Sequence, residues 1–254
     1  MQLEHFSVDE RFCGPPRSGN GGYVCGRVAR HFGPGPVAVR LKAPPPLATP
    51  LRLEYSAGGA QLSDDTTLIA EARPAALDLV PPPAPAWPMA EAASRHFAGF
   101  RRHKFPGCFV CGTLREVGDG LRIFAGAMNP DSTNPDSTNQ DFAGRGPVLA
   151  APWIPDPSLR GHDGHVAPEF LWAALDCPGA FAVDRHDSDT ALVLGELCAV
   201  VDHPVSPGEQ CVVLGWPLGS DGRKHQAGTA VYADGRLIAH ARAIWIEVPL
   251  ADWT

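Results

Sequence analysis

The sequence predicts an α+β fold in which one unit, a helix followed by antiparallel strands, occurs twice. Three observations predict it. A glycine-led helix near residue 20 and a proline-led helix near residue 168 are each followed by four strand-like runs. The first two of those runs, around Val37–Leu41 and Leu51–Tyr55, alternate with the period of a sheet with one buried face. Neither a β-α-β alternation nor a Gly-x-Gly-x-x-Gly motif occurs, which argues against a nucleotide-binding parallel sheet.

In the first half, Asn20 is a good N-cap with Gly21 and Gly22 behind it. Val24, Val28 and Phe32 recur at four-residue spacing as an apolar stripe, and Gly33-Pro34 stops the helix. Val37, Val39 and Leu41, then Leu51, Leu53 and Tyr55, alternate as strands. Ser56-Ala57-Gly58-Gly59 is a turn, with a return strand at 60–63 and a fourth strand at 66–73. Pro81 to Pro88 cannot join a ladder and reads as extended linker, with a short helix after it at Met89 to Phe100. The expected division is a half at 1–80, a Pro-rich linker at 81–105 and a half at 106–254.

In the second half, Leu121–Phe124 and Val148–Trp153 are candidate strands. Between them Asn129–Thr133 is repeated at once as Asn134–Thr138, a polar hairpin loop. Pro168 fits a first helical turn, and Pro178-Gly179 ends or kinks the helix. Four runs follow, at 191–201, 210–216, 224–233 and 236–248, expected to form a meander. Asp221-Gly222 and Asp234-Gly235 are its hairpin turns.

The 254 residues are 44% hydrophobic and 19% charged, an ordinary globular composition. A net charge of −7 argues against broad nucleic-acid binding. No apolar run approaches a membrane span, and Met1–Phe12 is too polar for an export leader, so a cytoplasmic protein is expected. Arg101-Arg102-His103-Lys104 reads as a solvated linker. The seven cysteines read as reduced thiols. Cys25, Cys177, Cys198 and Cys211 are expected as small core residues. Cys108-Phe109-Val110-Cys111-Gly112 reads first as a turn packing its thiols, with a structural metal or a redox pair as alternatives. Only His103 lies near it at a ligand's spacing, so the expectation is no metal and no cofactor.

On the second helix His165, Glu169, Trp172 and Asp176 share one face at helical spacing. Asp176 near a helix C-terminus, if partly buried, would have a raised pKa and act as a base; the other reading is a cap for the piece restarting at Pro178. Glu169 in the first turn simply suits the helix dipole. Asn20, Gly21 and Gly22 offer helix N-terminal amides that hold an anion or an oxyanion, or else only cap and pack. His162, Gly164 and His165 form a loop cluster able to donate to a carbonyl. Gly-x-Ser-x-Gly and His-Glu-x-x-His are both absent.

These residues resemble a known family. Cys108-Phe109-Val110-Cys111-Gly112 followed by Gly120-Leu121-Arg122-Ile123 is similar to the opening of phenylacetate-pathway-type hotdog thioesterases. His162-Asp163-Gly164 and Leu175-Asp176 are the nearest matches to that group's His-Gly-Gly turn and helix Asp. Gly21-Gly22-Tyr23-Val24 and Gly235–Ala239 resemble acyl-CoA thioesterase II proteins. The whole chain resembles a tandem double hotdog of the acyl-CoA thioesterase superfamily. The resemblance implies two long central helices, each wrapped by an antiparallel β-sheet. It also implies a thioesterase acting on acyl-CoA or another acyl thioester, with Asp176 activating water or attacking directly. Amides near Gly21 and Gly22, or near Gly164 and His165, would then polarise the carbonyl. It allows a monomer or a homodimer of double hotdogs. Ala243 stands near where acyl-CoA thioesterase II proteins carry a Gln, which keeps a non-catalytic acyl-thioester binding protein as the alternative. A hotdog hydratase is a third reading, without the helix-entry Asp-x4-His pair it calls for.

Overall fold

The computed structural model describes residues 2–128, 146–184 and 188–253. The expected repeat loop at 129–138 lies outside them. Its strands are β1 (Gln2–Phe6), β2 (Val37–Leu41), β3 (Leu51–Ser56), β4 (Gly59–Ser63), β5 (Leu68–Pro74), β6 (Gly126–Ala127), β7 (Leu149–Trp153), β8 (Thr190–Val201), β9 (Cys211–Asp221), β10 (Lys224–Ala233) and β11 (Arg236–Pro249). Its helices are α1 (Gly21–Ala29), α2 (Trp87–Ser94), α3 (Pro168–Ala174) and α4 (Cys177–Val183).

All strands form one antiparallel sheet in the order β1-β3-β4-β5-β2-β8-β11-β10-β9-β7-β6. Read outward from the β2–β8 pair, both sides follow one rule. The strand after the helix lies beside the last strand, the next three are a meander, and what precedes the helix closes the far edge, β1 on one side and β7 then β6 on the other. The runs after each helix are therefore not a simple four-strand meander, because β8 pairs with β11 and β2 with β5. Setting the first strand on the far side lets the sheet curl about a helix on one face, and it brings β2 to β8. Four residue pairs join them, from Val37↔Ala199 to Arg40↔Glu196. Arg40 also pairs with Glu196 at 2.8 Å, but its side chain is 52% exposed. Such a pair contributes under about 1 kcal/mol, so the junction rests on its ladder and on buried Val37, Val39, Leu197 and Ala199.

The helices are short. α1 has nine residues. The second helix stops at Ala174 and restarts at Cys177, with seven residues on either side of the break. The single face expected for His165, Glu169, Trp172 and Asp176 is therefore not one helical face. His165 precedes α3, and Asp176 sits in the break with φ −84° and ψ −86°. Pro178 explains the restart, since it lacks an N–H and is at home in a first turn. α1 and α3 pack closely because Gly22 and Gly26 lie four residues apart on the shared face. A Cβ at Gly26 would lie 2.5 Å from Glu169 Cα, and one at Gly22 would lie 2.6 Å from Asp176 Cβ.

One core lies between these helices and the sheet. A second lies on the other face of β7, β9 and β10, where α2 seats Ala90 and Ala93 against Ala150, Leu214 and Trp216. The Pro-rich stretch is held there too: Tyr232 donates its hydroxyl to Pro82 O at 2.6 Å. β1 was not anticipated; it pairs with β3 from Gln2↔Tyr55 to Phe6↔Leu51. Leu121–Phe124 is not a ladder strand. Its amides go instead to the cysteine loop, Leu121 N to Phe109 O at 2.8 Å and Ile123 N to Val110 O at 2.9 Å. Asp234 and Gly235 both take positive φ, 49° and 71°, as a tight hairpin requires. Among the described residues no helix is long and apolar enough to cross a membrane.

Candidate active site around Asp176

The break between α3 and α4 places Asp176 against the N-terminus of α1. Asn20 Nδ2 donates to Asp176 Oδ2 at 2.7 Å, and the Gly22 amide donates to the same oxygen at 2.9 Å. Asn20 Oδ1 meanwhile accepts from Tyr23 N at 2.9 Å, which caps α1 and fixes the amide's orientation. One buried side chain thus starts a helix and holds a carboxylate 156 positions away. Asp176 is 2% exposed, and its Oδ1 is buried without a hydrogen-bond partner. Although it occupies the N-cap position of α4, its side chain makes no cap bond. That removes the capping alternative.

Burial pushes the Asp176 carboxyl up to about 7, and the nearby Cys108 adds to the rise. The Gly22 amide and the Asn20 side chain oppose it. A rise was expected from a helix C-terminus combined with burial; burial is the larger cause here. The dipole nearest the carboxylate, at the N-terminus of α1, favours its ionised form.

Asp176 lies on the wall of a cavity of about 270 Å³. Asn20 and Gly21 border it on one side and Cys108, Cys111 and Cys177 on another, with Leu41, Leu194, Phe181 and Trp245 as apolar wall. The Gly21 amide belongs to the first turn of α1, whose amides have no partner within the helix. Lys104 also lines the cavity, 8% exposed and paired with Asp184 Oδ1 at 2.7 Å. The basic run is thus not wholly a solvated linker.

The structure brings together Asn20, Gly21, Gly22 and Asp176. It does not bring His162, Gly164, His165 or Glu169 to this cavity. His162 is exposed. His165 faces Asp163, Nδ1 to Oδ2 at 3.5 Å, and Gly164 O accepts from Arg160 Nη1 at 2.9 Å. Glu169 backs onto Gly26 on the α1–α3 contact. The Gly164–His165 arm of the proposed carbonyl-binding group therefore falls away from Asp176, because α3 starts only at Pro168.

Cys177, read as a core residue, meets the Cys108–Cys111 loop. The three sulfurs lie within 4.8 Å of one another, and Cys108 Sγ is 3.6 Å from Cys177 Sγ. His103 does not point a free nitrogen at them: Nδ1 accepts from Phe105 N at 3.1 Å, so Nε2 donates to Cys111 O at 2.9 Å. Sequence spacing could not reveal this third thiol, 66 residues beyond Cys111 in the chain. Its one local signal was its place beside Asp176 at the helix break.

No family model matches the chain, and no curated protein matches it. Solved structures do. A tesB protein from Mycobacterium avium subs paratuberculosis aligns with TM-score 0.59 at 14% identity, over 97% of this chain and 93% of that one. A protein provisionally assigned as thioesterase II from Thermobifida fusca aligns with TM-score 0.59 at 15% identity, over 98% and 93%. A hot dog fold protein of unknown function from Alicyclobacillus acidocaldarius aligns with TM-score 0.59 at 11% identity, over 97% and 93%. Likeness at that identity speaks for architecture: this chain has the double hotdog fold of tesB-type thioesterase II structures.

Proposed function

We propose that the chain hydrolyses acyl-CoA or a related thioester at the Asp176 cavity. The observation that carries this reading is the Asp176 carboxyl itself. One oxygen is fixed by Asn20 and Gly22, the other is buried without a partner, and the residue borders a largely apolar cavity. The Asp176 carboxylate takes a proton from water as the oxygen attacks the thioester carbonyl carbon. The Gly21 amide, at the positive end of α1, stabilises the oxyanion that forms. The tetrahedral intermediate collapses, the C–S bond breaks, and the protonated Asp176 returns its proton to the leaving thiolate. The thioesterase names among the structural neighbours support the reaction class. We take residues 1–80 and 106–254 as the two hotdog halves, with the acid from the second and the α1 amides from the first.

A second reading, a non-catalytic acyl-thioester binder, has one observation in its favour. The Gly22 amide is already spent on Asp176. Thiol release from a panel of acyl-CoAs, short, long and aryl, separates the two. Hydrolysis that falls about a hundredfold or more in Asp176→Asn supports the carboxylate mechanism. Undiminished release in that variant moves the site elsewhere. Saturable acyl-CoA binding with no release from any substrate establishes the binder.

A further inference from the structure

We propose that Cys108, Cys111 and Cys177 bind one zinc ion as a tripod of thiolates, with the fourth position turned to the cavity. This stands apart from the thioester reading and uses none of its steps.

The distances fit a tetrahedral ion. Zinc–sulfur bonds of about 2.3 Å put two sulfurs of a tetrahedron about 3.8 Å apart. Cys108 Sγ and Cys177 Sγ are 3.6 Å apart, and all three sulfurs lie within 4.8 Å of each other. A disulfide, by contrast, needs its sulfurs at about 2.05 Å. All three cysteines are free and buried. Three thiols crowded at one buried point bring little packing that alanine or valine would not. Thiolate is a soft donor well suited to zinc, and poorly suited to magnesium or calcium.

The frame that presents them is stiff. The Cys-x-x-Cys segment turns on itself, with Gly112 N bonded to Cys108 O at 2.9 Å and Cys108 N to Phe105 O at 2.9 Å. His103 fastens Cys111 O from outside, which fits a supporting group rather than a ligand. Cys177 arrives on the first residue of α4. The ion would thus tie the loop ahead of β6 to the helix break that positions Asp176. The three cysteines border the cavity, so the fourth position is open to water or another small donor there. Such three-ligand sites with an exchangeable fourth position differ from closed structural sites. Loading replaces thiol protons with metal and releases them to solvent.

The test reads metal and not hydrolysis. The full chain, reduced and stripped with chelator, is titrated with zinc and, in parallel, with cobalt(II). Wild type should retain about one zinc per chain through gel filtration and show near-ultraviolet thiolate-to-cobalt charge-transfer bands with intense tetrahedral visible bands. Cys108→Ser, Cys111→Ser and Cys177→Ser should each lose at least tenfold in affinity, while Cys198→Ser, altered elsewhere in the sheet, should bind as wild type does. The wild-type cobalt spectrum stands even where a variant fails to fold. No uptake by reduced wild type overturns the proposal, as does an unchanged spectrum in Cys177→Ser.

Discussion

Asp176 is held between a cost and a compensation. Full desolvation penalises its charge, while two donors to Oδ2 favour it. The net effect is a folded-state pKa of about 7 against an ordinary 3.8. A group raised on folding contributes its stabilisation below the unfolded value and loses it as pH climbs to the folded one. Metal-free, reduced protein should therefore lose on the order of 3 kcal/mol from this group between about pH 4 and 7. Asp176→Asn should lack that loss, so the stability difference between variant and wild type should grow in the variant's favour with pH. Urea unfolding of both at pH 5 and pH 8 checks it, and parallel curves would refute it. Asn20→Ala should cost about 1–2 kcal/mol, more at pH 8 than at pH 5, because it removes the α1 cap and a donor that favours the ionised carboxylate. At this scale Asp176 and the Asn20–Gly22 turn were separately legible from capping and helix chemistry. Their contact was not, since nothing local relates residues so far apart. His165 misled because its spacing to Asp176 was counted along a helix that begins three residues later.

Among elements, the approach of α1 to α3 decides how Asp176 meets its donors. Gly26→Ala would drive a Cβ into the Glu169 backbone at 2.5 Å. The helices must then separate, at a cost of about 1–3 kcal/mol or more. Gly33→Ala, with nothing within 4 Å, should leave stability within about 0.5 kcal/mol of wild type. Thermal unfolding of the pair checks the contrast; equal melting points would remove the helix contact as the reason for Gly26. The strands were legible in place, since β2 to β5 and β8 to β11 each fall on an expected run, although β9 extends to Asp221, five residues past its expected end, and is buried continuously over Cys211–Trp216. The second helix was legible in place but not in form, because Pro178 is compatible with both an end and a restart. The extended 121–124 run was taken for a strand because periodicity does not tell a ladder partner from a loop partner.

Across the whole molecule, the β2–β8 ladder makes one sheet of what the sequence presents as two repeats. Separating them would bare the inner edges of β2 and β8 and divide a core shared by both sides. Unfolding should therefore be a single transition. All six tryptophans lie at or beyond residue 87, so fluorescence follows the later part of the chain while far-ultraviolet circular dichroism follows all of it. The two curves should coincide in urea; an earlier dichroism transition would show the first repeat melting alone. The repeat was legible from element order alone. The fusion of its sheets was not, because periodicity fixes which face of a strand is buried but not which strand lies beside it.

The mirrored strand order has a consequence for how the two copies can change. In a pair of identical subunits every substitution is made twice, so a residue that helps one position burdens its twin. Here the N-cap of α1 is Asn20, whereas the N-cap of α3 is Ala167, which makes no side-chain bond. The donors to the buried carboxyl stand on α1 and the acid at the α3–α4 break. Within one chain the two sides need not match, so a substitution at one of them leaves its counterpart unchanged.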